Sequence, residues 1–166
     1  MKKTFLTISL LTLFLTNSLV ADSSKEYYPS GELKLEYSFI GGKKEGKTVE
    51  YYKDGSIKTY WNFVDDKLNG VSTRYSKEGI KIAELYFKDD KLDGISTEYY
   101  PNGTLKAKIH YKNGIKDGTS TTYYPNGAMH YQLNYKNGKL HGISKEFFQN
   151  GNLKATWHYN NGVLSN

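Results

Sequence analysis

The sequence predicts an all-β protein, an elongated antiparallel sheet built from six tandem β-hairpin repeats of 24 residues each. Two observations predict this fold. Glycine recurs every 24 residues without insertion or deletion, at Gly31, Gly55, Gly79, Gly103, Gly127 and Gly151. An aromatic residue stands four positions before each of these glycines, and another stands eight positions after it. Such a period is typical of a repeat array, in which one unit cannot bury its apolar face alone.

The N-terminal segment lies outside the array and has the pattern of an export signal. Two lysines precede the apolar run 5–15, and Ala21 supplies the small residue expected at a cleavage site. Threonine and serine interrupt the apolar run, which is shorter than the roughly 20 apolar residues of a membrane-spanning helix. We therefore predict a signal peptide at residues 1–21 and export of residues 22–166 to the periplasm, the cell surface or the medium.

The exported part is predicted to be one domain without disulfides. The chain has no cysteine, and no linker rich in proline or in glycine and serine divides residues 22–166. Removal of the signal takes away two lysines and no acidic residue, which lowers the formal net charge from +6 to +4. This mild charge lacks the clustered positive field of nucleic-acid-binding proteins, so we expect no nucleic-acid partner. The repeats occupy about residues 27–50, 51–74, 75–98, 99–122, 123–146 and 147–166.

The fourth repeat shows why each unit is expected to form a hairpin. Asn-Gly pairs at 102–103 and 113–114 stand between runs rich in aromatic and β-branched residues, which is the strongest short-range hairpin signal. Between them, apolar and polar residues alternate, which places the apolar side chains on one face. These are Leu105, Ala107, Ile109 and Tyr111. At the second turn of two other repeats, Asp65-Asp66 and Asp89-Asp90 replace Asn-Gly, and aspartate tolerates the left-handed conformation that the turn needs.

A second glycine column marks the strand that follows this turn. It consists of Gly46, Gly70, Gly94, Gly118 and Gly142, usually followed two positions later by threonine or serine. Small residues on one face of a strand leave room for a neighbouring ring. We therefore predict that these glycines seat aromatic side chains.

The unit Tyr-Tyr-Pro-Asn-Gly-x-Leu-Lys, followed by Tyr-Lys-Asn-Gly-Lys-Leu-x-Gly, resembles the MORN repeat (membrane occupation and recognition nexus) in its bacterial variant form. It is most similar to the repeats of the YwqK-type antitoxin family, and the similarity covers residues 27–166. The resemblance implies an antiparallel hairpin array that binds proteins or lies near membranes and that has no shared catalytic residues. The export signal departs from the antitoxin pattern, because an antitoxin that neutralises a cytoplasmic toxin stays in the cytoplasm.

Patterns for catalysis, for a cofactor or for a metal site do not emerge from the sequence. His110 and His158 share a repeat position but lie two repeats apart, on the order of 20 Å, which is too far to share a metal ion. The serines lack a glycine-framed nucleophile elbow, and no glycine-rich phosphate loop precedes a helix. We therefore predict a protein that is not an enzyme and that uses no cofactor.

Two repeated surface columns are the candidate binding residues. One is aromatic, and its rigid amphipathic rings suit contact with a protein or stacking on sugar rings. The other is basic and suits an acidic polymer or the headgroups of an anionic membrane surface, although such lysines more often keep a sheet soluble. The aromatic column comprises Tyr28, Tyr52, Tyr100, Tyr124 and Phe148, interrupted by Ser76. The basic column comprises Lys34, Lys58, Lys106 and Lys154.

These observations favour an exported, non-enzymatic scaffold for protein–protein contact, either in the cell envelope or with a host or competitor cell. A carbohydrate-binding or cell-wall-binding module is the second hypothesis, because tyrosines at a regular pitch can match the repeat of a polymer. An immunity protein of the YwqK antitoxin type is the third. The open edges of the predicted sheet also allow edge-to-edge self-association.

Overall fold

The computed structural model describes residues 22–165, which form a single open antiparallel sheet of 18 strands. The predicted signal peptide, residues 1–21, lies outside the described residues. In the described part of the chain every regular element is a strand, and no helix is long and apolar enough to cross a membrane. The predicted all-β fold of hairpin repeats is therefore confirmed.

Long strands alternate with interrupted ones along the chain. The eight-residue strands are β2 (Leu33–Ile40), β5 (Ile57–Val64), β8 (Lys81–Lys88), β11 (Leu105–Lys112), β14 (Met129–Lys136) and β17 (Leu153–Asn160). The six-residue strands are β1 (Asp22–Tyr27), β4 (Gly46–Tyr51), β7 (Gly70–Tyr75), β10 (Gly94–Tyr99), β13 (Gly118–Tyr123) and β16 (Gly142–Phe147). The short strands are β3 (Lys43–Lys44), β6 (Lys67–Leu68), β9 (Lys91–Leu92), β12 (Ile115–Lys116), β15 (Lys139–Leu140) and β18 (Val163–Ser165).

Strands that follow one another in sequence pair with one another, so the sheet is a meander. β1 pairs with β2, β2 with β4, and β4 with β5, and the later repeats continue this order. Because adjacent strands lie about 4.8 Å apart, each repeat extends the sheet by roughly 10 Å. Side chains alternate between two faces. We call the face that carries Ser96 and its cross-strand partner Ile109 the front face, and the face that carries Ile95 and His110 the back face.

The second turn of each repeat adopts the conformation that the sequence predicts. At Asn113-Gly114 the φ angles are 51° and 85°, and at Asp65-Asp66 they are 50° and 68°. Positive φ at both central residues is the geometry that matches the twist of two-residue hairpins. Asp66 also uses its carboxylate, which accepts a hydrogen bond of 2.8 Å from the backbone N–H of Lys44 in the previous repeat. The substitution of aspartate for Asn-Gly therefore preserves the turn and adds a link between repeats.

The glycine column at Gly46, Gly70, Gly94, Gly118 and Gly142 has a backbone role that the sequence did not predict. All five residues have positive φ, between 76° and 110°, at a bulge between the short strand and the six-residue strand, where the pairing with the preceding long strand shifts by two residues. A Cβ atom at Gly94 would lie 3.5 Å from the Tyr86 ring, as the ring-seat hypothesis requires. At Gly46 and Gly142 no atom lies within 4 Å of such a Cβ, and at Gly70 the only neighbour is the Asn62 side chain, so the ring-seat hypothesis is wrong at those three positions. There the backbone conformation alone accounts for glycine.

The described chain has little buried core, because the sheet is a single layer. The buried side chains are mostly small and all lie on the front face, where larger cross-strand neighbours flank them. Ser144, for example, lies opposite Trp157, and Ser72 lies opposite Leu85. Both faces therefore remain available to other molecules. The buried residues are Thr48, Thr59, Ser72, Ala83, Ser96, Ala107, Ser120, Ser144 and Glu146.

Candidate functional site

The loop that joins the two strands of each hairpin positions the predicted aromatic column. In the fourth repeat, the N–H of Gly103 donates to the carbonyl of Tyr100 at 2.9 Å, and the N–H of Tyr100 donates to the carbonyl of Thr104 at 2.8 Å. Gly103 has a φ of 81°, as the turn requires. The Asn102 side chain then donates to the carbonyl of Pro125 in the next repeat at 3.3 Å. The loop is thus held at both ends, which orients the Tyr100 ring.

The tyrosines of the aromatic column tie neighbouring repeats together. Each hydroxyl donates a hydrogen bond to a backbone carbonyl 23 residues further along the chain. Ser76 is too short to make this bond, and Phe148 has no hydroxyl. The bonds join Tyr28 to Tyr51 (2.7 Å), Tyr52 to Tyr75 (2.9 Å), Tyr100 to Tyr123 (2.8 Å) and Tyr124 to Phe147 (3.0 Å). The sequence suggested a ligand contact for these residues, and the structure adds this structural role.

The lysines of the basic column stand at β-bulges. Between β10 and β11 the register shifts by one residue, so that Lys106 has no residue opposite it. The lysine ammonium groups face glutamates of the preceding strand on the front face. These ion pairs are Lys58–Glu50 (2.7 Å), Lys106–Glu98 (3.4 Å) and Lys154–Glu146 (2.8 Å). The neighbouring carboxylates reduce the positive charge that three of these lysines can offer to a ligand.

The two predicted columns lie side by side on the front face. The Lys58 ammonium is 5.9 Å from the centre of the Tyr52 ring, and the Lys154 ammonium is 5.7 Å from that of Phe148. In the fifth repeat His130 replaces the lysine and stacks on the Tyr124 ring at 4.1 Å. Aromatic rings and cations therefore alternate along one strip of the front face, at the end of the sheet where the first loops lie.

Glu146 has the most contacts of the front-face carboxylates. It accepts hydrogen bonds from the Lys154 ammonium at 2.8 Å and the Tyr131 hydroxyl at 3.1 Å, and the His130 imidazole lies 3.9 Å away. The hydrogen bond from Lys154 lowers the pKa of the Glu146 carboxyl below its ordinary value of 4.5, and the Tyr131 hydroxyl acts in the same direction. The same carboxylate raises the pKa of Lys154 and of Tyr131.

The lowered pKa of Glu146 predicts a loss of stability in acid. A carboxyl whose pKa is lower in the folded state stabilises the fold above its unfolded pKa, and this contribution disappears as the pH falls through the folded pKa. We expect Glu146→Gln to lower the unfolding temperature near neutral pH and to lower it by less at about pH 3. Thermal unfolding followed by circular dichroism at both pH values measures the difference. An equal loss at both pH values would show that Glu146 acts through packing and not through its charge.

The back face carries an apolar row that the sequence reasoning missed. Val71, Ile95 and Ile143 each follow a bulge glycine, and their side chains are 36%, 50% and 45% exposed. Tyr86 lies opposite Val71 and is 48% exposed. The pattern of glycine, β-branched apolar residue and serine could have revealed this row, because the buried serine faces the front and its predecessor must then face the back. Lys47 and Thr119 interrupt the row in the other repeats.

Open clefts lie along the front face of the described sheet. No group of three histidine, cysteine, aspartate or glutamate side chains in this range is placed to hold a metal ion. A front-face cleft of about 290 Å³ is lined by aromatic and aliphatic side chains that include Tyr37, Trp61 and Phe63. The Lys44 ammonium lies 4.9 Å from the centre of the Tyr37 ring. This cleft therefore offers a ligand aromatic surface beside a cation.

Comparison with known proteins identifies the repeat. A family model described as MORN repeat variant matches residues 23–40, 44–65, 92–113, 116–137 and 140–161, which is more than half of the chain. Residues 66–91, in the second and third repeats, fall outside these matches. No curated protein matches the chain.

Proposed function

The chain belongs to the MORN repeat variant family, and from this premise we propose that it is a non-enzymatic scaffold whose extended sheet binds a protein partner. The observation that carries this proposal is the exposed apolar row of the back face. Surface apolar residues that occur singly need no explanation, whereas a contiguous exposed apolar patch is typical of an interaction site.

The members of this row are close enough to act together. Val71, Tyr86 and Ile95 lie on β7, β8 and β10, which are consecutive strands of the sheet. At about 4.8 Å per strand, the three side chains fall within roughly 10 Å of one another. Each is exposed by a third or more of its surface, so a partner can remove further apolar area from water. An aromatic residue between aliphatic neighbours is the composition expected at the centre of a protein interface.

A carbohydrate-binding module is the second candidate, and the aromatic column favours it. Tyr28 and Tyr52 occupy equivalent positions in adjacent repeats, at a pitch of roughly 10 Å that a sugar polymer can match. Lysine ammonium groups lie near these rings, at 5.6 Å for Lys53 over Tyr28 and 5.9 Å for Lys77 over Tyr52. His130 covers one side of Tyr124. These neighbours leave less ring surface for a sugar, so we rank the protein partner first.

A capture experiment tests the proposal and separates the two candidates. Residues 22–166 serve as bait for extracts of the cell envelope and of host surfaces, with or without prior treatment of the extract by a protease or by glycan-degrading enzymes. Loss of capture after protease treatment supports the protein scaffold and provides the partner. Loss only after glycan degradation would replace the first proposal with the second.

We propose further that the scaffold acts outside the cytoplasm, after removal of residues 1–21. Support comes from the sequence, in which Ser24-Lys25-Glu26-Tyr27 matches Ser144-Lys145-Glu146-Phe147, so the array begins just after the predicted cleavage site. Cleavage there leaves every described strand intact. The expected N-terminal residue of the exported protein is Asp22, as measured by mass spectrometry of the protein in envelope and medium fractions.

A variant at the cleavage site provides the control for export. Ala21→Leu places a large residue where signal peptidase requires a small one, so this variant is expected to keep residues 1–21. An envelope protein that retains Met1 in the unchanged sequence would contradict the proposed cleavage. In that case residues 1–21 act as something other than a cleaved signal.

A further inference from the structure

The hairpin of β7 and β8 departs from its neighbouring hairpins at several linked positions. Where Glu50 and Glu98 stand in the neighbouring repeats, it carries Arg74, the only arginine of the chain. Where Lys58 and Lys106 stand at the bulge, it carries Ile82. Both partners of the glutamate–lysine pair have thus changed. These positions lie in residues 66–91, which the family model leaves unmatched.

The change leaves a cation without a carboxylate. Glu50 and Glu98 are held by Lys58 at 2.7 Å and by Lys106 at 3.4 Å, respectively. In the hairpin of β7 and β8 the cation stands on the strand and not at the bulge, and the carboxylate is absent. Arg74 is exposed and makes no ion pair with any residue in the range 22–165. In the neighbouring hairpins the cation is paired with a carboxylate. The described residues supply no such carboxylate to Arg74.

The surroundings of Arg74 form a cleft with an apolar wall. A front-face cleft of about 320 Å³ is lined by Arg74, Ile82, Leu85, Glu98 and Tyr99, among others. Ile82 and Leu85 supply aliphatic surface next to the guanidinium. Glu98 already faces Lys106. A ligand that enters this cleft meets the unpaired guanidinium of Arg74, aliphatic side chains and the Glu98–Lys106 ion pair. The guanidinium and its aliphatic neighbours match an acidic side chain followed by an apolar one.

We propose that Arg74 is the anchor of a front-face site that binds an acidic peptide segment through a carboxylate. The planar guanidinium presents paired N–H donors that match the two oxygens of a carboxylate, and arginine is enriched among the residues that dominate protein interfaces. The site is separate from the apolar row, because Arg74 lies on the front face and Val71, Tyr86 and Ile95 lie on the back face. The proposal therefore stands or fails independently of the proposed back-face contact.

A titration with synthetic peptides tests the site directly. The probe is an N-acetylated and C-amidated pentapeptide in which valine and glutamate alternate, and the matched peptide carries glutamine in place of glutamate, so that it has no carboxylate. Because the chain has a single arginine, the side-chain Nε–Hε signal of Arg74 in a ¹⁵N NMR spectrum needs no further assignment. We expect this signal to shift with the glutamate peptide and to stay in place with the glutamine peptide.

Three variants separate a specific site from general attraction. Arg74→Gln is expected to weaken binding of the glutamate peptide about tenfold or more, because the paired hydrogen bonds are lost. The double change Arg74→Glu with Ile82→Lys recreates the pair found at Glu50 and Lys58, so it is expected to fold normally and not to bind. Lys77→Gln removes the same charge from an exposed position outside the cleft and is expected to change the affinity less than twofold.

The following outcomes would overturn the proposal of a carboxylate site at Arg74. An unmoved Arg74 signal, or equal losses in Arg74→Gln and Lys77→Gln, would exclude a specific carboxylate site. Tighter binding of a peptide with phosphoserine in place of glutamate, with the same dependence on Arg74, would reassign the site to phosphate. Ile95→Asp is expected to leave the peptide titration unchanged. If no peptide binds at Arg74, the proposed capture of a protein partner by the back face is therefore unaffected.

Discussion

Ile95→Asp is expected to reduce capture of the protein partner about tenfold or more. Ile95 is 50% exposed near the centre of the apolar row, and a partner that covers it removes apolar surface from water. Aspartate at this position must lose its hydration in the complex without a charge to pair with. A tenfold loss corresponds to about 1.4 kcal/mol of binding free energy, which is within the range of interface hot spots. The affinity for the partner recovered by capture is measured by surface plasmon resonance.

A matched substitution shows whether the loss of affinity depends on where the aspartate is placed or only on its presence. Leu153 is 54% exposed and lies in the last repeat, away from Val71 and Tyr86, so Leu153→Asp is the control. Its affinity for the partner is expected to equal that of the unchanged protein. Unfolding of both variants is followed in parallel, and Ile95→Asp is expected to cost no more than about 1 kcal/mol of stability in an exposed strand position. Equal affinity of Ile95→Asp and the unchanged protein would exclude the apolar row as the interface.

Gly94→Ala is expected to destabilise the fold by about 2 kcal/mol. Gly94 has a φ of 110°, which lies beyond the left-handed helical region that other residues can enter at lower cost. The added Cβ would lie 3.5 Å from the Tyr86 ring, an ordinary contact, so the cost arises from the backbone and not from a clash. Urea unfolding followed by tyrosine and tryptophan fluorescence measures the loss.

Gly142→Ala is the matched control for this prediction. Gly142 occupies the equivalent bulge, with a φ of 82° and no atom within 4 Å of the added Cβ. Its backbone is closer to the left-handed helical region, so the expected loss is about 1 kcal/mol. If both variants lost the same stability, the bulge at Gly94 would have to relax to a conformation like that at Gly142. The explanation from backbone strain would then be wrong.

The hairpin array could be predicted from the sequence because its signals are local. Asn113-Gly114 specifies a turn with positive φ at both residues, and the alternation in residues 105–111 specifies which side chains share a face. The structure confirms both features, and Ala107 is buried as the alternation requires. The turn at Asp65-Asp66, where aspartates replace Asn-Gly, could also be predicted, because aspartate adopts the left-handed conformation as well.

The candidate surfaces could be predicted only in part. The aromatic and basic columns do lie together on one strip, as Tyr52 and Lys58 show. Their partners were not predictable, because the Tyr52 hydroxyl bonds to a carbonyl 23 residues away and Lys58 pairs with a glutamate across a bulge. The apolar row was missed because it depends on which face each residue after a bulge glycine occupies. Whether either column binds a ligand stays a prediction.

The sequence by itself determined the repeat length, the strand and turn positions and the absence of disulfides, because these follow from the residues within one 24-residue unit. Only the tertiary structure decided which side chains remain free for a partner. The four column tyrosines and three of the four column lysines bond to atoms of a neighbouring strand or repeat, and the bulges at those lysines shift the register by one residue. The unpaired guanidinium of Arg74 and the exposed face of Ile95 therefore became visible only when the strands were placed side by side.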